Sequence, residues 1–270
     1  MMPTSHWQKF HLYLVSVLKM KLRLDKLLVE RGLAPTRERA QAIILAGRVL
    51  VDEQKIDKPG HSVAETSALR LLGSDLPYVS RGGLKLEAAL HYWHIDLSGR
   101  FCLDIGSSTG GFTDCMLQHG AAQVLAVDTG YGQIADSLRR DPRVSLMERT
   151  NARNLNPGDL PPGISFLAMD VSFISATLVL PPVINAMSSP ALLHEIVVLV
   201  KPQFEAGREH VGKGGIVRNP AAQQLAIDRV RACVSEIRGT AIDIIDSPIL
   251  GTEGNREFLL HAYLDPKEPQ

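Results

Sequence analysis

The stretch FCLDIGSSTGGFTDCMLQHGAAQVLAVD, Phe101–Asp128, limits what this chain can fold into more than any other. Phe101-Cys102-Leu103 is a short apolar run bounded by Gly99 and Gly106, which predicts a buried parallel strand. A glycine-rich turn follows, then a helix from about Gly111 to His119 and a second apolar strand over Gln123–Val127. Strand, glycine turn, helix and strand make half of a doubly wound nucleotide-binding unit. Gly106, Gly110 and Gly111 let the backbone approach a ligand where a Cβ would intrude. Asp128 closes the second strand, where an acidic side chain can accept both hydroxyls of a ribose.

A dinucleotide site wants G-x-G-x-x-G, with bare amides facing a pyrophosphate at the helix N-terminus. Here Asp104 stands two residues before the first glycine, and a carboxylate there repels a pyrophosphate. It suits the ammonium of an amino-acid moiety, held directly or through water. A ligand with an amino acid at one end and an adenosine at the other is S-adenosylmethionine. Asp104, Gly106, Ser107, Gly110, Gly111 and Asp128 are the expected donor site, joined by Asn151 from a polar loop further on.

The 270 residues suffice for one large α/β domain and a small one besides. Net charge is zero but unevenly spread. Lys21 to Gly60 holds nine Lys/Arg against six Asp/Glu, whereas from His61 onward 18 basic residues face 23 acidic ones. A basic front on a mildly acidic remainder suits a polyanion partner. Cys102, Cys115 and Cys233 form no C-x-x-C and no metal-ligand spacing, so no metal is expected, and an odd count without a framework fits a reducing cytoplasm. Leu12–Leu18 is apolar but too short to span a bilayer, and Lys19-Met20-Lys21 stands where a signal cleavage site would need small residues. Residues 1–19 are expected to be a poorly ordered extension, and 266–270 a tail.

Leu22, Leu24, Leu27, Leu28 and Leu33 predict a first helix ending at Arg31-Gly32. Thr36 suits the N-cap of a second helix, with Ala40, Ile43, Ile44 and Leu45 inward and Gly47 just past its end. Strands are expected at Val49–Val51 and Ala68–Leu72, with a turn at Asp52-Glu53. The string RLDKLLVERGLAPTRERAQAIILAGRVLVDEQKIDKPG resembles the RNA-binding domain named after small-subunit ribosomal protein S-four. The resemblance spans residues 20–73 and implies that Arg23, Lys26, Arg37, Arg39 and Arg48 face RNA, meeting phosphates at a shape-defined site.

Residues 74–83 read as a linker and 84–265 as the larger domain. Its elements are a helix over Leu84–Trp93, the opening unit, a helix over Gln133–Arg140 and a strand at Val144–Met147. Another strand, Ile164–Met169, ends at Asp170. A helix follows over Ser175–Met187, kinked or restarted by Pro181-Pro182. The strand Glu195–Val200 ends at Lys201. A long helix, Pro220–Arg238, precedes the last strands, Ala241–Ile245 and Glu257–Leu264. The fold class is α/β: a Rossmann-like seven-stranded methyltransferase sheet whose last strand is antiparallel, behind a small α+β S-four-like domain. In such a sheet Asp170, Lys201 and Glu257 sit at three neighbouring strand ends, and Lys85 reaches them from the preceding helix.

LDIGSSTGGFTD, AVD, MDVSFIS, VKPQFEAGR and GNREFLL resemble the TlyA (haemolysin-A-like) ribosomal RNA methyltransferases, an FtsJ-type branch that carries the S-four domain. The likeness runs from Met20 to about Leu264. It implies 2′-O-methylation of RNA by a tetrad carried over as Lys85, Asp170, Lys201 and Glu257. Glu253 is the alternative in the last motif, but Glu257 is the acidic residue at the strand start. A ribose hydroxyl is a very weak acid, and Lys201 serves it as neutral base or as stabilising ammonium. The rivals are an inactive RNA-binding assembly factor, whose sign would be lost tetrad or donor residues, and a membrane-active haemolysin, for which no segment has the needed length or alternation.

Overall fold

The computed structural model describes residues 21–34, 36–72, 77–187, 193–251 and 253–265. The expected extension 1–19, the tail 266–270 and positions 74–76 of the expected linker lie outside them. The chain divides into two compact units, residues 1–75 and 76–270.

In the first unit β1 (Lys21–Arg23) pairs antiparallel with β4 (Ser62–Ala64). Two helices follow β1, α1 (Leu24–Glu30) and α2 (Arg37–Leu45). The helix expected from Leu22 begins only at Leu24, because the backbone at Arg23 is extended (φ −65°, ψ 137°) and Leu22 is committed to strand pairing. Leu24, Leu27 and Leu28 fall on one face of α1 and meet Ala40, Ile43 and Ile44 of α2 in one core, whereas Leu45, expected inward with them, is 68% exposed at the end of the helix. Thr36 caps α2, its side chain accepting from Arg39 N at 3.2 Å, and Gly47 takes the left-handed turn that ends it (φ +65°). The centre of a three-stranded sheet is β2 (Val49–Val51), between β3 (Gln54–Ile56) and β5 (Leu69–Leu71). Asp52 and Glu53 both adopt positive φ, the two-residue turn that closes a β-hairpin.

The second unit opens with α3 (Gly82–Tyr92), two residues earlier than expected, and continues with β6 (Phe101–Ile105), α4 (Gly111–Gln118) and β7 (Gln123–Val127). Only Asp136–Arg139 of the helix expected over Gln133–Arg140 is helical (α5), since Ala135 is extended and its amide is taken by the Thr109 carbonyl. Next come β8 (Val144–Met147), β9 (Ile164–Met169), a 3₁₀ turn over Ala176–Leu178 and α6 (Leu180–Ala186). Pro181 and Pro182 fall in the first turn of α6, so the helix restarts there instead of bending through them. The chain ends with β10 (Glu195–Val200), α7 (Pro202–Glu205), α8 (Pro220–Glu236), β11 (Gly239–Asp246) and β12 (Phe258–Leu264).

The seven strands lie in the order β11-β12-β10-β9-β6-β7-β8, parallel except for β12, which is antiparallel to both its neighbours. Successive side chains alternate between two buried faces. Leu103, Ile105, Leu167 and Val198 face α6 and α8, while Cys102, Val124, Phe166 and Val197 face α3 and α4. That double burial is why these strands read as unbroken apolar runs. Among the described residues no helix is long and apolar enough to cross a membrane.

Three strand ends are stitched together at the carboxyl edge. Gly106 N and Ser107 N bond to Val127 O at 2.9 and 3.3 Å, and Asp170 N to Ile105 O at 2.9 Å. Gly106 sits at φ +87°, and a Cβ there would lie 2.4 Å from the Asp170 carbonyl oxygen. Gly106→Ala therefore combines a disfavoured φ with a backbone clash and should cost at least about 1–3 kcal/mol in urea unfolding. An unchanged midpoint would mean the two strand ends do not pack as closely as described.

Candidate active site

Beyond β6 the chain turns through residues 106–110 into α4. Gly110, at φ +93°, is the cap of that helix, and a Cβ on it would meet Leu138 at 2.3 Å. Asp128, just past β7, holds the turn from outside: its Oδ2 accepts from Ser108 N at 2.8 Å and its Oδ1 from Gly130 N at 2.7 Å. The entry to α3 closes the other side. Tyr78 packs its ring on Gly83, and a Cβ at Gly111 would meet Ser80 Oγ at 2.3 Å and Gly83 N at 2.9 Å. The run Ser80-Arg81-Gly82-Gly83 thus lets two backbones touch where side chains would hold them apart.

A cavity of about 260 Å³ opens between these segments. Gly106, Ser107 and Gly111 form one wall, and Lys85, Asp170, Lys201 and Glu257 another. Asp170 follows β9, Lys201 follows β10 and Glu257 precedes β12, whose Phe258 lies opposite Val200. Lys85 comes from the first turn of α3. Lys85 Nζ donates to Glu257 Oε2 at 2.5 Å. Lys201 Nζ lies 2.6 Å from Asp170 Oδ1, close as an ion pair though off the hydrogen-bonding direction, and donates to Ser172 Oγ at 2.6 Å. Both lysines and Glu257 are buried, so two charge pairs face each other in a site with little water to screen them.

The sequence-expected residues divide. All four of Lys85, Asp170, Lys201 and Glu257 meet at the cavity, as do Gly106, Ser107 and Gly111. Gly110 shapes the turn, and Asp128 grips it, without lining the cavity. Asn151 lies outside it, its Oδ1 accepting from Arg153 N at 3.1 Å to start a 3₁₀ turn. Asp104 is wholly buried beneath the turn: Thr113 Oγ1 donates to its Oδ2 at 2.6 Å, and its Oδ1 has no hydrogen-bond partner. Burial pushes its carboxyl up to about 7, with Asp170 and Asp128 adding to the rise and the Thr113 bond opposing it. Ser80, Arg81, Ser172 and Leu250 also line the cavity and were not expected. Only the spacing D-x-S in MDVSFIS hinted at Ser172. Beside it Phe173 is 91% exposed at φ +65°, its ring 5.6 Å from that of Phe204.

In the first unit the basic residues are organised by a carboxylate that the sequence did not single out. Asp25 is fully buried and accepts from Arg23 Nε and Nη2 at 3.0 and 2.9 Å, from Arg37 Nε at 2.9 Å and from Gln41 Nε2 at 2.9 Å. The Arg23 guanidinium holds its carboxyl well below the usual carboxylate range, against burial and with help from Gln41 and Arg37. Both arginines remain nearly half exposed. Lys26 is exposed, Arg39 half-buried, and Arg48 Nε donates to the Leu72 carbonyl at 2.9 Å.

A mostly parallel sheet in this order, with β12 antiparallel and a glycine turn beside a lysine–carboxylate set, is the architecture of a Rossmann-like methyltransferase. Residues 78–263 match the FtsJ-like methyltransferase family and residues 22–67 the S4 domain. The chain is 50% identical over 244 residues to YqxC of Bacillus subtilis, a protein named as a candidate rRNA methyltransferase, covering 90% of this chain and 86% of that one. It is 44% identical over 241 residues to the 16S/23S rRNA (cytidine-2′-O)-methyltransferase TlyA of Mycobacterium tuberculosis, covering 89% of each. A solved hemolysin-type structure from Streptococcus thermophilus superposes with a TM-score of 0.69 at 42% identity, covering 91% of this chain and 89% of that one. The chain belongs to the FtsJ-like methyltransferases, in the TlyA group, and joins that domain to an S4 domain.

The family and fold imply S-adenosylmethionine, and the residues present fit it. The cavity is lined by Gly106, Ser107 and Gly111 of the glycine turn, and the unpartnered Asp104 oxygen lies behind that turn. Asp104 also yields a pH signature. Its carboxyl binds a proton more tightly folded than unfolded, so stability falls as pH rises from about 4 to about 7. Asp104→Asn does not titrate, so its stability relative to wild type should climb across that window and level off above it. Urea unfolding at a series of pH values measures this, and a flat difference would contradict the assignment.

Proposed function

We propose that this protein transfers the methyl group of S-adenosylmethionine to the 2′-oxygen of a ribose in ribosomal RNA, with Lys85, Asp170, Lys201 and Glu257 as its catalytic set. The observation that carries this reading is the convergence of two Lys–carboxylate pairs, Lys85–Glu257 buried and Lys201–Asp170 partly so, on one cavity beside the glycine turn. The M. tuberculosis relative is named for acting on cytidines of 16S and 23S rRNA, and the same class of substrate is proposed here. Bound donor supplies an electrophilic methyl on a sulfonium whose departure needs no acid.

The chain's own residues supply the rest. Gly106, Ser107 and Gly111 offer backbone and a hydroxyl to the donor. Asp128, with two of its lone-pair sites engaged by loop amides, keeps acceptor capacity for ribose hydroxyls. Asp104 adds negative potential from behind the turn. Lys201 is the group for the RNA hydroxyl, taking its proton or meeting the oxygen's growing charge, and in either role must come within hydrogen-bond reach of it. Asp170 and Ser172 fix where that ammonium points. Glu257 does the same for Lys85, which adds positive potential. Most of the rate then comes from aligning oxygen, methyl and sulfur. In the first unit Arg23 and Arg37, set by Asp25, meet RNA phosphates together with Lys26, Arg39 and Arg48.

Lys201→Ala should lower single-turnover methylation at saturating donor and RNA by on the order of 100–1000-fold, with donor affinity retained. Lys201→Arg should also be poor, because the planar fork displaces the charge and does not give up its proton. A Lys201→Ala protein within tenfold of wild type would sink the tetrad.

The first unit is tested separately. Arg37→Glu should weaken RNA binding while leaving donor binding untouched, and the defect should shrink as salt rises. Equal affinity at low salt would remove that surface from the RNA contact.

A further inference from the structure

The junction of α3 and α4 carries a group that the proposed transfer does not use. Glu87 and His91 are four residues apart on α3 and share one face of it. His119 caps the C-terminus of α4 beside them. One potential ligand atom from each of the three lies within 4.8 Å of the others. The two imidazoles stand 5.9 Å apart between centroids and 70° to one another, edge toward face instead of stacked flat. We propose that Glu87, His91 and His119 bind a divalent transition-metal ion, zinc in particular, that staples α3 to α4.

The donor chemistry suits zinc. Two imidazoles and one carboxylate are borderline nitrogen and oxygen ligands, and three protein ligands leave a fourth tetrahedral position for water. Zn–N bonds of about 2.0–2.1 Å at tetrahedral angles place ligand atoms about 3.3 Å apart. The three must therefore draw together by about 1.5 Å at most, a change that rotation of the exposed His91 side chain can supply.

The surroundings already orient two of the ligands. His119 Nδ1 lies 2.9 Å from the Cys115 carbonyl oxygen. A carbonyl can only accept, so Nδ1 carries the proton and Nε2 keeps its lone pair for a metal. Tyr78 OH donates to Glu87 Oε1 at 2.8 Å, fixing the carboxylate. Cys115 Sγ lies 3.6 Å from His119 Nδ1 and is fully buried, whereas His91 is exposed. His91 is open to solvent and gives the ion a way in.

None of the three lines the cavity, so the ion would take no part in the chemistry. Its effect would be positional: α3 carries Lys85 two residues before Glu87, and α4 begins at Gly111 on the cavity wall. The site is not legible as a motif because its third ligand comes from a different helix, well away in the chain.

The test uses the tag-free full-length chain, stripped with EDTA and titrated calorimetrically with zinc chloride. One saturable site per chain is expected, together with a rise in the thermal midpoint that EDTA reverses. His91→Ala and His119→Ala should each weaken zinc binding by at least tenfold. His91 is exposed, so its replacement leaves the fold intact and keeps the test decisive if His119→Ala misfolds. Cobalt substitution should give tetrahedral ligand-field bands without a thiolate charge-transfer band. Absence of saturable zinc binding, equal binding by His91→Ala, or a thiolate band would each overturn the proposal.

Discussion

The close backbone contact between Gly106 and Asp170 is the constraint on which the rest of the site depends. Parallel strands β6 and β9 run side by side, and the chain leaving β6 must turn away within the space of a carbonyl. Only a residue without a Cβ makes that turn. The same contact fixes Asp170 N on Ile105 O and so sets where the Asp170 side chain begins. Asp170 in turn locates Lys201. The turn thus shapes the cavity wall and places a member of the charged set.

Burying Lys85, Lys201 and Glu257 beside a partly buried Asp170 is expensive, and such pairs seldom add net stability. Their retention here is better explained by position than by stability. Lys85 illustrates the point. Its place in the first turn of α3 opposes the helix dipole, and no acidic residue lies in that turn. Its partner instead comes from the start of β12, on the far side of the sheet order. A lysine that local structure disfavours is held by a carboxylate distant in sequence, which is how a site is preorganised at the expense of its helix.

The parts of this fold legible in the sequence were those with a strong local signal. Strands β6, β7, β9 and β10 are apolar runs because both their faces are covered. The strand-end positions of Asp170, Lys201 and Glu257 then followed from the sheet order. What escaped was set by tertiary contact. The strands β3 and β4 are three residues long, too short for an alternating pattern to be read. The α5 helix is shortened by a Thr109 carbonyl from another loop. Asp25 looks like an ordinary acidic residue in a helix of mixed charge until Arg37 and Gln41 fold over it. Asp104 was expected at the ligand and lies beneath the turn, since inward or outward orientation at a strand end depends on the helix packed above it. Ser172, Glu87 and His119 likewise gain meaning only from neighbours brought by the fold.

The charge distribution gives a reason for the proposed methyl-transfer cavity to come with a separate basic unit. Two lysines and two carboxylates sum to zero, so the set creates a strong local field yet little long-range pull on a polyanion. An RNA substrate must be drawn and held by charge elsewhere, and the excess of basic residues lies between Lys21 and Gly60. Even there the charges are not loose. Asp25 neutralises part of the Arg23 and Arg37 charge, giving up some attraction in return for fixing two guanidiniums at a set spacing. That exchange favours recognition of a defined backbone shape over indiscriminate attraction to phosphate. In the proposed reaction the buried set acts on one hydroxyl, and the arranged arginines govern which RNA is presented.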